Sequence, residues 1–441
     1  MRVEEDLQMG DESGNPKVAA LSATVTAAHE SLQSSDKGFS FKRLAPFMGP
    51  AFIASVAYMD PGNFATNVEA GSKLGYELVW VIVASNLMAM LLQMLSAKLG
   101  IAAGKNLAEL CRETYPSAVV WFLWALMEVV AMATDLAEFL GAALGFNLLF
   151  SVPLWVGAVL TAIATFVLLG LERRGFRPLE AAITALVGVV AACYLVETIL
   201  DRPAWLEVAG GLKPMFSSRE AVLLASGILG ATVMPHAILL HSALTQGRVV
   251  AKTVAQRRKL FGYEVMDVTI AMGIASLVNA AMLIMAAATF HTAGNTTVAS
   301  IEDAHRTLQP LLGKAASVIF AISLLAAGLS SAAVGTMAGQ IIMQGFVHRS
   351  IPLWVRRGVT MVPSFIVIFM GLNPTRTLVI SQVVLSFGLP FVIIPLIQFT
   401  RRKDIMGDLV NRRSTTFMAG CVGGLIITLN VYLIYRIFTG D

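Results

Sequence analysis

Apolar runs long enough to cross a hydrocarbon core recur along almost the whole chain, and this recurrence decides what it can fold into. Inside lipid every backbone N–H and C=O needs an internal partner, so runs of this length become helices. Of the 441 residues, 56% are hydrophobic and 14% charged, which excludes an ordinary soluble globular fold. We read eleven spans, at 45–72, 77–102, 118–148, 152–170, 178–199, 219–246, 261–290, 314–346, 353–372, 376–399 and 415–438. The expectation is an all-α membrane protein. Residues 1–43 differ: Glu4, Glu5, Asp6 and Asp11 sit among scattered Ser and Thr, so this stretch reads as a disordered cytoplasmic tail. Residues 44–441 read as one transmembrane domain.

The net charge of +4 is explained by where the charges fall. Lys42-Arg43, Arg173-Arg174-Arg177, Arg257-Arg258-Lys259, Arg401-Arg402-Lys403 and Arg412-Arg413 all lie on one side if the N-terminus is cytoplasmic. That bias is the positive-inside pattern and not a nucleic-acid footprint. An odd number of spans then puts the C-terminus on the extracellular or periplasmic face. Compact loops suggest a bacterial plasma (inner) membrane, and a monomer is the simplest expectation. Cys111, Cys193 and Cys421 are far apart, without the spacing of a disulfide framework or zinc site.

Two spans contain a proline where the bilayer is deepest. The first holds Asp60-Pro61-Gly62-Asn63, the sixth Ala231-Thr232-Val233-Met234-Pro235-His236. Proline removes a backbone donor and disfavours helix in the residue before it, so each helix should stop and restart. The freed backbone groups must face protein or a water-filled cavity. Breaks in spans 1 and 6 imply an internal repeat, 45–199 and 219–399, with an extra helix at 415–438. Five spans per repeat is odd, so the second repeat is inverted. Paired discontinuous helices of this kind point to a secondary-transporter site at the midplane.

Asp60 and Asn63 offer hard oxygen ligands, and carbonyls freed near Ala57 and Ala231 offer more. These alone suit sodium, calcium, magnesium, manganese or an ammonium group. Met234, directly before its proline as Asp60 is before Pro61, adds a soft thioether. A thioether gives little to calcium or magnesium and can coordinate manganese, iron, cobalt or cadmium. Methionine in a core usually only packs; its register with Asp60 is what marks this one out. An intramembrane carboxylate such as Asp60 is a functional candidate by default.

The stretches Asp60-Pro-Gly-Asn-Phe-Ala-Thr-Asn67 and Ala231-Thr-Val-Met-Pro-His-Ala-Ile-Leu-Leu-His-Ser242 resemble the signature motifs of the Nramp family. The resemblance continues through Met132–Phe139, Gly328–Gly335 and Ser381–Phe387 and covers nearly everything after residue 43. It implies a LeuT-like fold and proton-coupled import of divalent transition metals (Mn2+, also Fe2+, Cd2+ and Co2+) by alternating access. It further implies that Asp60, Asn63, Met234 and the Ala231 carbonyl hold the metal, joined in some states by the Ala57 carbonyl and Gln382. Magnesium-transporting relatives lack the methionine that this chain keeps. No prosthetic group is expected; metal ions and protons are cargo.

Span 3 carries Glu128, Asp135 and Glu138, which fall within about an 80° arc of one helix face. Glu128 and Glu138 lie roughly 15 Å apart along the axis, so the file runs from mid-membrane toward the inside. Such files resemble the proton relays of transporters. His236, two residues past Met234, could pass or sense protons, since an unperturbed imidazole changes charge near physiological pH. The family resemblance places proton movement in the Asp60–His236–Glu138–Asp135 region, with Arg356 and Arg357 pairing with the file. Arg356 and Arg357 also fit the positive-inside pattern without any further role, and Glu128 could serve packing alone. His241 reads as structural or as a vestibule lining, and Asp267 as a solvated or paired boundary charge.

Three other readings fit the residues less well. A sodium-driven organic-solute symporter on the same fold would need a helix N-terminus free for a carboxylate, which Asp60 would repel. An uncoupled metal channel or uniporter would share the ligands but has no use for buried acids on span 3. A zinc enzyme is disfavoured because His236 and His241 are five apart, without the spacing or glutamate of a helical zinc site.

Overall fold

The computed structural model describes residues 44–172, 176–251, 253–295, 298 and 300–439, together with 26, 28 and 30–32. Most of the expected tail therefore lies outside the described residues. Of its described part, Ala28 and Leu32 are buried against Phe47 and Leu260, and Lys259 donates to the Ser31 carbonyl.

The fold is all helix. Among the described residues, nine helices or broken helices are long and apolar enough to cross a membrane. The first and ninth expected spans fall short of that length. Span 1 is divided into Pro50–Val56, a 3-10 turn Ala57–Met59, and Pro61–Leu74. Span 9 is the 17-residue helix Leu353–Phe369. Three connectors that read as loops contain helices of their own: Leu107–Thr114, Trp205–Gly210 and Ile301–Leu312. A signal for the first was present in the sequence. Asn106 and Glu109 form a capping box, each side chain meeting the other's backbone N–H. Span 10 is also less regular than expected: Pro374–Gly388 gives way to Pro390–Thr400, because Pro390 cannot continue the hydrogen-bond ladder.

Packing follows the inverted repeat. Span 2 (Val79–Ala103) runs along span 7 (Val254–Ala286), and span 3 (Ser117–Phe150) along span 8 (Lys314–Val347). Span 3 meets span 10 as span 5 (Phe176–Asp201) meets span 8. The second half of span 1 lies on span 7 as the second half of span 6 lies on span 2. Exchanging the two halves of the chain maps these contacts onto themselves. Spans 1 and 6 are thereby enclosed at the centre, and spans 4, 5, 9 and 11 leave most of their described residues unburied on the outside.

Of the two expectations for Asp267, solvated or paired, the structure shows the paired one. It is fully buried rather than solvated, and one oxygen accepts hydrogen bonds from the N–H groups of Gly49 (3.2 Å) and Ala51 (3.0 Å). Its partner is the orphaned N-terminus of span 1, where Pro50 occupies the first helical position.

Candidate functional site: two broken helices and a file of carboxylates

Both breaks form where the prolines require them. Asp60 is extended (φ −88°, ψ 168°) and Pro61 opens the next helix. Val233 (φ −95°, ψ 108°) and Met234 (φ −109°, ψ 123°) are extended, and Pro235 opens the second half of span 6. The residue before each proline is thus pushed out of the helical region, while proline itself suits the first helical turn.

The two restarts differ in a way that matters for chemistry. Asp60 caps its own helix: Oδ1 accepts from the Asn63 N–H at 2.9 Å and Oδ2 from the Gly62 N–H at 3.1 Å. Oδ1 also accepts from the Asn63 amide nitrogen at 2.6 Å. Met234 has no oxygen with which to cap, so its own side chain makes no cap hydrogen bond to the helix it heads. A helix N-terminus and a carboxylate are therefore locked together at one break, and a thioether heads the other.

Asn63 joins the breaks. Its amide nitrogen donates to the Ala231 carbonyl at 3.1 Å, across 168 positions of sequence. Its Oδ1 lies 3.5 Å from the Thr232 hydroxyl. Gln382 of span 10 stands beside them, with both amide atoms buried and unpartnered. A Cβ on Gly62 would collide with that amide, so glycine is what lets span 10 approach the break. Ala57, Asp60, Asn63, Ala231, Met234 and Gln382 are all buried. Among the described residues, no group of three or more His, Cys, Asp or Glu offers a metal cluster. A cation at the breaks would be held by mixed donors: carboxylate, amide, carbonyl and thioether.

The file on span 3 adjoins this group. Glu138 is buried and its Oε2 has no partner. A Cβ on Gly335 of span 8 would come within 2.5 Å of that oxygen and 3.0 Å of Asp135 Oδ1, so a glycine there leaves room for both acids. Asp135 pairs with Arg357 at 3.0 Å. Glu128 accepts two hydrogen bonds from Arg356, at 3.3 and 2.7 Å. His236 meets the Thr134 hydroxyl of span 3 through Nδ1 at 3.2 Å, while Nε2 has no partner. Carboxylates from one span and guanidiniums from another thus alternate inside the protein.

Asp135 and Arg357 are each no more than 1% exposed, so breaking the pair strands a buried charge. Arg357→Ala should therefore lower stability by about 3–5 kcal/mol, well above the cost of losing a surface pair. Thermal unfolding of the purified protein in detergent tests this; an unchanged midpoint would contradict the pairing as a structural element.

Sequence reasoning missed several supporting residues. Asn279 of span 7 donates to the Tyr58 carbonyl at 2.7 Å, satisfying a group that the first break frees, and accepts from Asn67 at 3.0 Å. His241 is buried between Gln93 (2.8 Å) and Glu264 (3.1 Å), and Gln93 donates to the Tyr58 hydroxyl at 2.6 Å. His241, read from the sequence as structural or as a vestibule lining, is thus part of a packed polar chain. The available signal was an unexpected polar residue inside each apolar run.

Comparison with known proteins follows the same lines. A family model described as natural resistance-associated macrophage protein-like (Nramp) matches residues 51–436. The divalent metal cation transporter MntH of Deinococcus radiodurans is 54% identical over 399 residues, covering 90% of this chain and 92% of that protein. A crystal structure of the Eremococcus coleocola manganese transporter, in complex with an aromatic bis-isothiourea compound, superposes with a TM-score of 0.84 at 34% identity. That match covers 92% of this chain and 90% of the other. MHP1, a nucleobase-cation-symport-1 family transporter, shares the fold at a TM-score of 0.56 and 14% identity, over 88% of this chain and 91% of its own. With the family model spanning nearly all of the helical domain, the chain belongs to the Nramp family, a family of transporters and not of enzymes.

Proposed function

We propose that this protein carries divalent metal cations across a membrane, importing Mn2+ and, with it, Fe2+, Cd2+ and Co2+, coupled to protons by alternating access. The names of its relatives, a divalent metal cation transporter and a manganese transporter, support the substrate class. The observation that carries the reading is the bond from Asn63 to the Ala231 carbonyl, which draws an oxygen-rich break and a thioether-bearing break into one buried site.

In this reading Asp60 supplies the charge that offsets cation desolvation, and Asn63 and the Ala231 carbonyl fill the hard side of the shell. Met234 supplies the soft side. A metal arriving here displaces the Asn63 amide from Asp60 Oδ1 and from Ala231, freeing both oxygens for coordination. Gln382, with an unpartnered amide oxygen, and the Ala57 carbonyl complete the shell as spans 1, 6 and 10 shift. Discontinuous helices meeting at a site suit rocking of one bundle against another.

Protons follow the other branch. Glu138 and His236 lie next to the breaks, each with an unpartnered atom, and Asp135–Arg357 and Glu128–Arg356 continue toward the proposed cytoplasmic side. Where Asp60 has taken up a proton before the metal arrives, that proton leaves the carboxyl as the metal binds and can be taken by Glu138 or His236 and passed along the file. With the N-terminus inside, the basic clusters face the cytoplasm of a plasma membrane. A single chain contains the whole site, so a monomer suffices.

Proteoliposomes that report Mn2+ uptake and internal pH together test the coupling. Wild type should acidify as Mn2+ enters. Glu138→Gln, nearly isosteric, should lower the protons moved per Mn2+ at least severalfold while Mn2+ still binds. Mn2+ uptake that moves no protons in wild type would leave an uncoupled uniporter.

A further inference from the structure

Span 5 carries a second set of buried oxygens that the breaks and the span-3 file do not use. Tyr194, Glu197 and Asp201 fall within about a 60° arc of the same helix face. Glu197 is 0% exposed and neither carboxylate oxygen has a hydrogen-bond partner. Asp201, one turn on and partly exposed, has one unpartnered oxygen, while the other accepts from the Thr289 hydroxyl at 3.1 Å. The Tyr194 hydroxyl is buried and also unpartnered. Thr289 lies in the π-helical turn Ala287–His291 that ends span 7, and such turns recur at functional sites.

Two carboxylates one turn apart, with no Lys, Arg or His paired to either among the described residues, are unstable in a low-dielectric interior as anions. Each must be neutralised. A divalent ion offsets both charges at once, and the Thr289 hydroxyl beside Asp201 offers it a further oxygen. All the donors are oxygens; no thioether is among them. We propose that Glu197, Asp201 and Thr289 form a second cation site that takes a hard divalent ion, Ca2+ or Mg2+ as well as Mn2+. Asp201 forms its mouth at the C-terminal end of span 5, and Glu197 its floor.

The site adjoins the moving part of the molecule through Tyr194. The Tyr194 ring packs edge-on against Phe64 at 5.4 Å, and Phe64 is on the half of span 1 that begins at Asp60. Occupancy would therefore bias the position of that half-helix without contributing a ligand to the breaks. Selectivity divides accordingly: an oxygen-only site admits hard ions, and the thioether-bearing site rejects them.

Ca2+ is the discriminating probe, because the break is expected to exclude it. Equilibrium binding of 45Ca2+ to the full-length protein in nanodiscs should show one site per chain in wild type and in Asp60→Ala. Glu197→Gln should weaken it at least tenfold, and Glu197→Gln with Asp201→Asn should abolish it. Both variants should still bind one Mn2+ through Asp60, which also reports that they are folded. Glu197→Asp, which keeps the charge, should retain Ca2+ binding in part. Wild type that binds no Ca2+ would overturn the inference, since the two acids would then be neutralised by protons. Ca2+ binding that survives the double substitution, or vanishes in Asp60→Ala, would overturn it as well. Mn2+ binding unaffected by Asp60→Ala would instead count against the break as the metal site and leave this inference standing.

Discussion

Asp60→Ala should weaken Mn2+ binding by at least about 100-fold and abolish uptake, with the fold retained. The carboxylate is the one formal charge at the breaks, and it lies where water cannot substitute for it. Stranding one member of a buried charge pair costs about 3–5 kcal/mol, and each 1.4 kcal/mol is tenfold in affinity. The loss would include more than one ligand. Asp60 also holds the Gly62 and Asn63 N–H groups and orients the Asn63 amide, so its removal frees Asn63 from the geometry that aims it at Ala231. Calorimetric titration of Mn2+ into Asp60→Ala, made in a background that also carries Glu197→Gln and Asp201→Asn so that no span-5 acid can bind the ion, measures this directly. Binding within a fewfold of the Glu197→Gln, Asp201→Asn parent would refute the assignment.

Met234→Ala should act on selectivity more than on affinity. Mn2+ is a borderline ion that oxygen donors satisfy well, so its uptake should fall by no more than about tenfold. Ca2+ and Mg2+, which gain nothing from sulfur, should become substrates: the smaller side chain leaves space for a water oxygen where the thioether stood. Uptake of 45Ca2+ into proteoliposomes, near background in wild type, should rise at least tenfold in the variant. If the variant still rejects Ca2+ and Mg2+ as wild type does, the thioether is not the filter and Met234 merely packs.

Much of the architecture could be read from the sequence because the membrane removes alternatives. An apolar run must be a helix, and Pro61 and Pro235 must end one, so the breaks and the repeat follow from a few residues. Asp60, Asn63 and Met234 stood out for the same reason. The Nramp resemblance led to Gln382, Arg356 and Arg357, whose spacing alone carries no signal. What the sequence did not disclose depends on tertiary approach. Asp267 reads as a boundary charge until span 1 is seen to begin against it. Asn279 is one polar residue in an apolar span until the Tyr58 carbonyl is seen to need a donor. Glu197 sat in plain view as an intramembrane acid, but nothing in span 5 alone announced a partner in span 7. The helices at Leu107–Thr114 and Ile301–Leu312 were missed because amphipathic segments lying outside the hydrocarbon lack the long apolar run that marks a span.

In the proposed function a metal ion sits between the two broken helices. Anomalous diffraction from crystals grown with Mn2+, collected at the manganese edge, locates the ion without reference to any assumed ligand. A peak within bonding distance of Asp60, Asn63, the Ala231 carbonyl and Met234, absent in Asp60→Ala crystals, is the result this account predicts. Crystals of transport-competent protein saturated with Mn2+ that show no peak between the breaks would contradict it.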